Sequence, residues 1–217
     1  MVQTKIVPSY PALIVEGKSR FLVVTDLHIG FESNLAANDI FVGKNTSLGE
    51  TISELEAIID DTNADSLILL GDVKSSIKSI SKNEWDEIPL FFNKIKDKVD
   101  VTLVPGNHDA NIQRLVPDGV SMISSTGIVV ENMLLTHGHT MPSENFSHVD
   151  KIIMGHVHPV FFDEDSILNG QRVWVTIKTE KQKIFPSASG EIEILVVPSF
   201  NKYFYATYKR QYKRSIS

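Results

Sequence analysis

Residues 101 to 109, VTLVPGNHD, decide the fold, because a short apolar run empties there into a loop carrying Asn107, His108 and Asp109. A run such as Val101, Leu103 and Val104 reads as a strand covered on both faces. Pro105 and Gly106 stop it, since proline cannot extend a ladder and glycine permits a sharp turn. A carbonyl ligand, an imidazole and a carboxylate then follow at the carboxyl end of a strand, where open α/β sheets bind their ligands.

Working outward, the same make of segment recurs. Residues 12 to 15 and 21 to 25 read as two strands joined by a tight turn at Gly17, and the second ends in Asp26-Leu27-His28. Residues 29 to 45 have no period and form a longish loop suited to walling a pocket. Leu48, Ile52, Leu55 and Ile59 follow at helical spacing behind Thr46 and Ser47, which can cap. The strand Ser66 to Leu70 ends in Gly71-Asp72. Ser81 and Glu84 have the spacing of a capping box for a helix bearing Trp85, Ile88, Phe92 and Ile95, with Pro89 expected to bend it.

Beyond Asp109 come strands at 127 to 130 and 133 to 136, the latter ending in His137-Gly138-His139. A strand at 152 to 154 ends in Gly155-His156-Val157-His158. Strand, helix, strand, helix, strand in the first half predicts parallel pairing with right-handed crossovers. Alternation at Val173, Val175, Ile177 and at Ile192, Ile194, Val196 predicts antiparallel sheet in the C-terminal third. Trp85 and Trp174 are expected in the core.

At 217 residues, 42% hydrophobic and 22% charged, the chain suits one soluble domain spanning 1 to 217. No apolar run has the length of a membrane span, no signal-peptide pattern is present, and a cytoplasmic protein is expected. With no Cys, any metal must be held by nitrogen and oxygen. The net charge is −6, yet the tail at about 201 to 217 carries Lys202, Lys209, Arg210, Lys213 and Arg214 and no acid; without those five cations residues 1 to 200 stand at −11. Such a body repels phosphate esters unless bound cations reverse its sign. The tail, with Tyr203, Phe204, Tyr205, Tyr208 and Tyr212, suits nucleic acid through charge and stacking, or a solvated terminus or oligomer contact.

Six of the seven histidines fall in the strand-end clusters, and only His148 lies outside. A single Asp at a strand end is ordinarily a cap, and a lone His-Gly-His a turn. Five clusters in succession instead predict a two-metal site. Mixed imidazole and carboxylate suit borderline cations, Mn²⁺ foremost, with Zn²⁺, Fe²⁺, Ni²⁺ or Co²⁺ as alternatives. Asp72, alone at its strand end, is the candidate bridge between two ions. Such a pair activates water for in-line attack on phosphorus and stabilises the phosphoryl oxygens.

In order, Asp26-x-His28, Gly71-Asp72, Gly106-Asn107-His108-Asp109, His137-Gly138-His139 and Gly155-His156-x-His158 resemble the five motifs of the calcineurin-like metallophosphoesterases. VTDLHIGFE, LLGDVK, VPGNHD, THGHT and IMGHVHP narrow the likeness to small single-domain archaeal and bacterial members, some linked to DNA ligases and helicases. Lys74-Ser75-Ser76 stands where some members carry another histidine. The resemblance implies a four-layer αββα sandwich of two mixed sheets flanked by helices. It implies one metal on Asp26, His28, Asp72 and His158 and another on Asp72, Asn107, His137 and His156. His108 would be the general acid, held by Asp109, with His139 as a substrate contact or a support for a ligand. The implied activity is hydrolysis of phosphodiesters, nucleic acid or cyclic nucleotides among them. A phosphomonoesterase on a small molecule or phosphoprotein is the alternative, and a non-catalytic protein-binding scaffold, as in the retromer subunit of this superfamily, the second alternative.

Overall fold

A computed structural model describes residues 3–32, 46–163 and 165–202. The loop expected at 29 to 45 therefore falls outside the described residues from 33 onward, as does the basic aromatic tail from 203 onward. The first sheet has six strands in the order β1 (Gln3–Ile6), β2 (Leu13–Glu16), β3 (Arg20–Val24), β4 (Ser66–Leu70), β5 (Asp100–Val104), β6 (Val120–Met122). Strands β3 to β6 are mutually parallel, and β1 and β2 add an antiparallel edge. Helix α1 (Thr46–Thr62) makes the crossover from β3 to β4, and α2 (Lys82–Lys96) the crossover from β4 to β5.

The second sheet runs β10 (Val175–Glu180), β11 (Glu191–Val196), β9 (Lys151–Met154), β8 (Met133–Thr136), β7 (Ile128–Val130). Its edges are antiparallel, as alternation predicts, but β11 pairs with β9 and β9 with β8 in parallel. The antiparallel reading of the C-terminal third is corrected to that extent. Residues on either side of the 156–174 excursion alternate in sequence, but sequence alternation does not reveal that β11 lands beside β9 instead of beside its hairpin partner alone. Strands β1 and β6, both short and largely solvent-facing, also escaped the apolar pattern.

Period-two alternation shows how β4 joins the layers. Leu67 and Leu69 face the helices with Leu22, Val24, Leu55, Ile58 and Phe92, whereas Ile68 and Leu70 face the second sheet with Val23, Val104, Leu135 and Ile153. The outer face of the second sheet, with Leu134, Ile152 and Ile192, packs on Val149 and Phe185. Its covering layer among the described residues consists of loops and the 3-10 turns Glu144–Phe146 and Lys181–Lys183. The fourth layer of the sandwich is therefore thinner than the first. No helix of the described residues is long and apolar enough to cross a membrane.

Ser81 and Glu84 form the expected capping box, and α2 continues through Pro89 to Lys96. Its buried face is Glu84, Ile88, Phe91, Phe92 and Ile95, while Trp85 is 47% exposed. The expectation of a core Trp85 is thus corrected: positions three and four before Ile88 are both geometrically open to burial, and Glu84 takes the place because donors from a neighbouring loop meet it there. Trp174 is partly buried against the core between the sheets.

Two stability measurements check this packing. Ile88→Ala should cost about 2–5 kcal/mol and Trp85→Ala within about 0.5 kcal/mol, read from urea midpoints at constant m-value; comparable losses would put Trp85 back in the core. Glu87, on the same helix, is pushed up to about 7 by burial and by Glu32, Asp86 and Glu84. Its folded pKa exceeds its unfolded one, so the folded state gains from protonation and that gain disappears as pH rises from about 4.5 through about 7. Glu87→Gln should therefore be more stable than wild type at pH 8 and not at pH 4, and an equal gain at both would exclude this titration.

Candidate metal centre

The five clusters converge. Asp26 and His28 leave the end of β3, Asp72 that of β4, Asn107 and His108 that of β5, His137 that of β8, and His156 and His158 that of β9. Both sheets thus present carboxyl ends at one edge of the sandwich. Pairing between β3 and β4 continues past the strands: Asp26 N donates to Gly71 O at 3.1 Å, His28 N to Asp72 O at 2.9 Å and Ile29 N to Val73 O at 2.8 Å. The first two loops are therefore in register with each other.

Three of the five loops fold their side chains inward through an unusual backbone. Asp26, His28, Asp72, His156 and His158 all have left-handed φ, from 45° to 68°, a conformation costing L-residues about 1–3 kcal/mol and persisting only where surroundings over-determine it. Glycine makes the closest approaches. A Cβ on Gly71 would lie 2.6 Å from the His137 ring and 2.7 Å from Gly106 Cα, and one on Gly106 would reach 2.5 Å from Asp72 N.

Asp26 is fully buried. Its Oδ2 accepts from His156 N at 3.0 Å, and the Thr25 hydroxyl lies 2.8 Å from both Oδ2 and the Leu70 carbonyl, with one proton to give. Its Oδ1 makes no hydrogen bond, although His158 Nε2 stands 3.0 Å away in ion-pair range. Burial pushes the Asp26 carboxyl up, but His158, His137 and His28 together hold it below the ordinary range. Asp72 divides its two oxygens between two sets of rings: His137 Nε2 lies 3.4 Å from Oδ1, and His28 Nε2 and His108 Nε2 lie 3.9 and 3.8 Å from Oδ2. Oδ1 also accepts from His108 N at 2.8 Å. Burial opposes ionisation of Asp72, yet the His137 contact and the neighbouring charges hold it well below the usual carboxylate range.

His137 Nδ1 faces the Leu70 carbonyl at 2.8 Å, which assigns its proton to that nitrogen. Its Nε2 then points at Asn107 Oδ1, 3.2 Å away, and at Asp72 Oδ1. His28 Nε2 and His158 Nε2 confront each other at 3.4 Å. Ring nitrogens crowded against one another and against two carboxylates in this way, together with the buried Asp26 Oδ1 that makes no hydrogen bond, form a donor-atom set that fits cations. Ligand atoms of Asp26, His28 and His158 lie within 4.8 Å of one another, as do those of Asp72, His137 and His156, and those of His28, Asp72 and His108. Burial pushes His28 down to about 3, so its ring is neutral and could serve as a metal ligand. Burial works the same way on His137, but Asp72 and Asp26 outweigh it and raise the group to about 9. His139 stands beside the cluster, 5.2 Å from the His137 ring, and His148 is exposed and remote from it.

The expected hold of Asp109 on His108 is corrected. The Asp109 carboxylate accepts backbone amides of Gly106 at 2.8 Å, Val73 at 3.0 Å and Lys74 at 3.2 Å, so it ties the third loop to the second. Burial pushes its carboxyl up to about 6. His108 Nδ1 instead lies 2.5 Å from the Ser75 carbonyl. The Ser75 turn is itself fastened by two buried charges. Glu84 accepts from Ser75 N at 3.0 Å, Ser76 N at 2.7 Å, Ser76 Oγ at 2.6 Å and Ser81 N at 2.6 Å. Lys74, with no exposed surface, donates through Nζ to the carbonyls of Ser76, Ile77 and Ser79.

One further supporting segment, after β11, was not anticipated. Phe200 N donates to Thr25 O at 2.9 Å, Ser199 Oγ to Asp26 O at 2.9 Å and Asn201 Nδ2 to Leu27 O at 2.9 Å. Its signal was available: a polar cluster at the end of a buried strand, the same pattern that flags the other five. A cleft of about 250 Å³ opens over Asp72, Asn107, His108, His156 and His158, with Arg172 in its wall.

Comparison with known proteins agrees with this geometry. A family model described as calcineurin-like phosphoesterase matches residues 19–168. Among solved structures, the chain is similar to nuclease MPE of Pseudomonas putida at 18% identity, over 93% of this chain and 88% of that one, with a TM-score of 0.52. It is also similar to YfcE, a phosphoesterase from E. coli, at 17% identity over 83% and 79% with a TM-score of 0.43. No curated protein sequence matches.

Glu84→Ala tests how the His108 turn is held. Removing a buried acceptor of four hydrogen bonds should cost at least about 3 kcal/mol, and amide exchange at Ser76 and Ser81 should accelerate, while Ser75 N keeps the Ile29 carbonyl at 3.0 Å and the β4 amides keep pace with global stability. Unchanged protection at Ser76 and Ser81 would show that something other than this carboxylate fixes the turn.

Proposed function

The chain belongs to the calcineurin-like phosphoesterases, hydrolases of ester bonds that use divalent metal ions, and from that premise we propose that it is a dinuclear-metal phosphodiesterase. The observation that carries the reading is Asp72, whose two oxygens face separate histidine sets. In this reading Asp26, His28, Asp72 and His158 hold one ion and Asp72, Asn107, His137 and His156 the other. Mn²⁺ suits that mixture of imidazole, carboxylate and carboxamide. Bound there, divalent ions would lend Lewis acidity to a phosphate ester and acidify the attacking water.

The remaining steps belong to the chain. His108 carries its Nδ1 proton toward the Ser75 carbonyl, which leaves Nε2 directed into the cleft beside Asp72. In the proposed step the ring acts as an imidazolium: it keeps the Nδ1 proton on the Ser75 carbonyl, passes the Nε2 proton to the departing ester oxygen and is left neutral, a contribution of about 10²–10⁴-fold for a positioned acid. The Asp72 oxygen that accepts from His108 N keeps the ring over the cluster. Asp109 supports the reaction indirectly, by keeping the second and third loops together. A diester is favoured over a monoester because Arg172 is the sole arginine or lysine lining the cleft among the described residues. A singly charged phosphodiester asks for less compensation than a dianionic monoester inside an acidic body. The Pseudomonas putida neighbour is described as a nuclease, but at 18% identity that likeness speaks to fold; the diester reading rests on the cleft.

With added Mn²⁺, bis(p-nitrophenyl) phosphate should be turned over faster than p-nitrophenyl phosphate, and the reverse order would establish the monoesterase. Absence of turnover on both esters, in Mn²⁺, Ni²⁺, Co²⁺ and Zn²⁺ alike, would favour the scaffold. Elemental analysis should find both ions lost in Asp72→Ala and retained in His108→Ala, whose turnover falls most for poor leaving groups; wild-type metal content in Asp72→Ala would contradict the bridge.

A further inference from the structure

We propose that Arg172 forms a second anion subsite beside the metal centre, receiving the phosphate next to the scissile one, so that the preferred substrate is a nucleotide chain carrying a further phosphate. The proposal rests on the phosphodiesterase reading above and adds a substrate class to it.

Arg172 shares its cleft with the residues assigned to the ions and with His108. Its side chain is partly buried, and burial lowers its pKa, yet a guanidinium keeps its charge in any protein setting. Buried charges are ordinarily paired, but among the described residues no carboxylate lies within ion-pair distance of this one. The acid with most influence on it, Glu54, is engaged by Lys202. Among the described residues only Nη1 is used internally, donating to the carbonyls of Ser199 and Phe200 at 2.9 Å each. The planar fork has further N–H groups, on Nε and Nη2, in the geometry that matches a phosphate.

The group is also fixed relative to the reacting centre. Ser199 and Asn201 are bonded to the backbone of the Asp26 and His28 loop, so the carbonyls that orient Arg172 are carried by the same segment that orients two assigned ligands. On the other side, Arg172 pairs across an isolated β-bridge with Val160, two residues beyond His158. A cation held from both ligand loops, facing a shared cleft and without a paired acid among the described residues, is placed to receive an anion from outside the protein. A substrate phosphate adjoining the one at the metals has the required charge. Because that phosphate does not react, Arg172 contributes binding and selectivity, and its effect appears mainly in KM.

The probes are thymidylyl-thymidine without a terminal phosphate, the same dinucleotide with a 5′-phosphate, and the same with a 3′-phosphate, assayed with Mn²⁺ at fixed ionic strength. In the wild type, kcat/KM for at least one phosphorylated dinucleotide should exceed that for the plain one by on the order of 10-fold, through KM. Arg172→Met should bring that ratio toward one, whatever loss the three substrates share. Arg172→Lys keeps the charge but not the fork, and should give an intermediate ratio; it decides the matter if the methionine variant lacks a cooperative melt. A wild-type ratio of one, or the wild-type ratio retained in either variant, would overturn the subsite and leave the diesterase intact. Failure of the wild type to cleave any of the three would overturn both readings.

Discussion

The structure depends on a single constraint: side chains from five strand ends must point at one small volume while their backbones stay in two sheets. Extended strands aim alternate side chains away from each other, so a ligand set can gather only where the chain leaves the strand and turns back. The left-handed φ values at Asp26, His28, Asp72, His156 and His158 are that turn in three of the five loops. Each would be unfavourable alone, by about 1–3 kcal/mol. They persist because every loop is hydrogen-bonded to another: the first to the second through Gly71, Asp72 and Val73 carbonyls, the fifth to the first through His156 N and Asp26, the third to the second through Asp109.

Packing sets how near the loops can come. Ile68 and Leu70 on one sheet and Leu135 and Ile153 on the other close the space between the layers. Close packing fixes the separation of the sheets to within a side chain, so the carboxyl ends of β4 and β8 arrive with His137 against Gly71. A side chain at Gly71 or Gly106 would have to occupy space already filled by His137 or Asp72. The glycines before Asp72 and Asn107 therefore serve distance as much as flexibility. A weaker inter-sheet core would loosen the cluster without touching any of its members.

The strand ends themselves were legible because their composition is anomalous for folding: histidine has no reason to recur at the ends of buried strands unless it is used there. The supports were less legible because each relies on a partner distant in sequence. Asp109 beside His108 suggests an acid holding an imidazole, yet the amides of Gly106, Val73 and Lys74 claim it, and only the folded second loop supplies two of them. Glu84 and Trp85 compete for one buried position, and hydrophobicity favours Trp85. The outcome turns on Ser75, Ser76 and Ser81 amides that gather around a carboxylate once that same loop folds. Ser199 and Asn201 follow the rule that exposed the other clusters, but they carry no histidine and so stood out less. The parallel placement of β11 beside β9 left no local trace, because register with a distant strand is a property of the assembled sheet.

Electrostatics join these supports to function. Asp26 and Asp72 are ionised side by side in a buried pocket of an acidic chain, and in the protein without metal the His137 imidazolium is the charge that compensates them. A cluster of that kind repels phosphate. Exchange of the His137 proton for divalent cations would turn it from net negative to net positive and supply the attraction that the acidic body lacks. Metal occupancy would then govern substrate affinity as well as chemistry, and Arg172, positive in either state, would add a fixed attraction on one side of the cleft. A phosphate chain entering that field meets two centres of positive charge of different kinds. Divalent ions there would polarise an ester, whereas the guanidinium could only orient one, and on the proposed reading that asymmetry selects the phosphate that reacts.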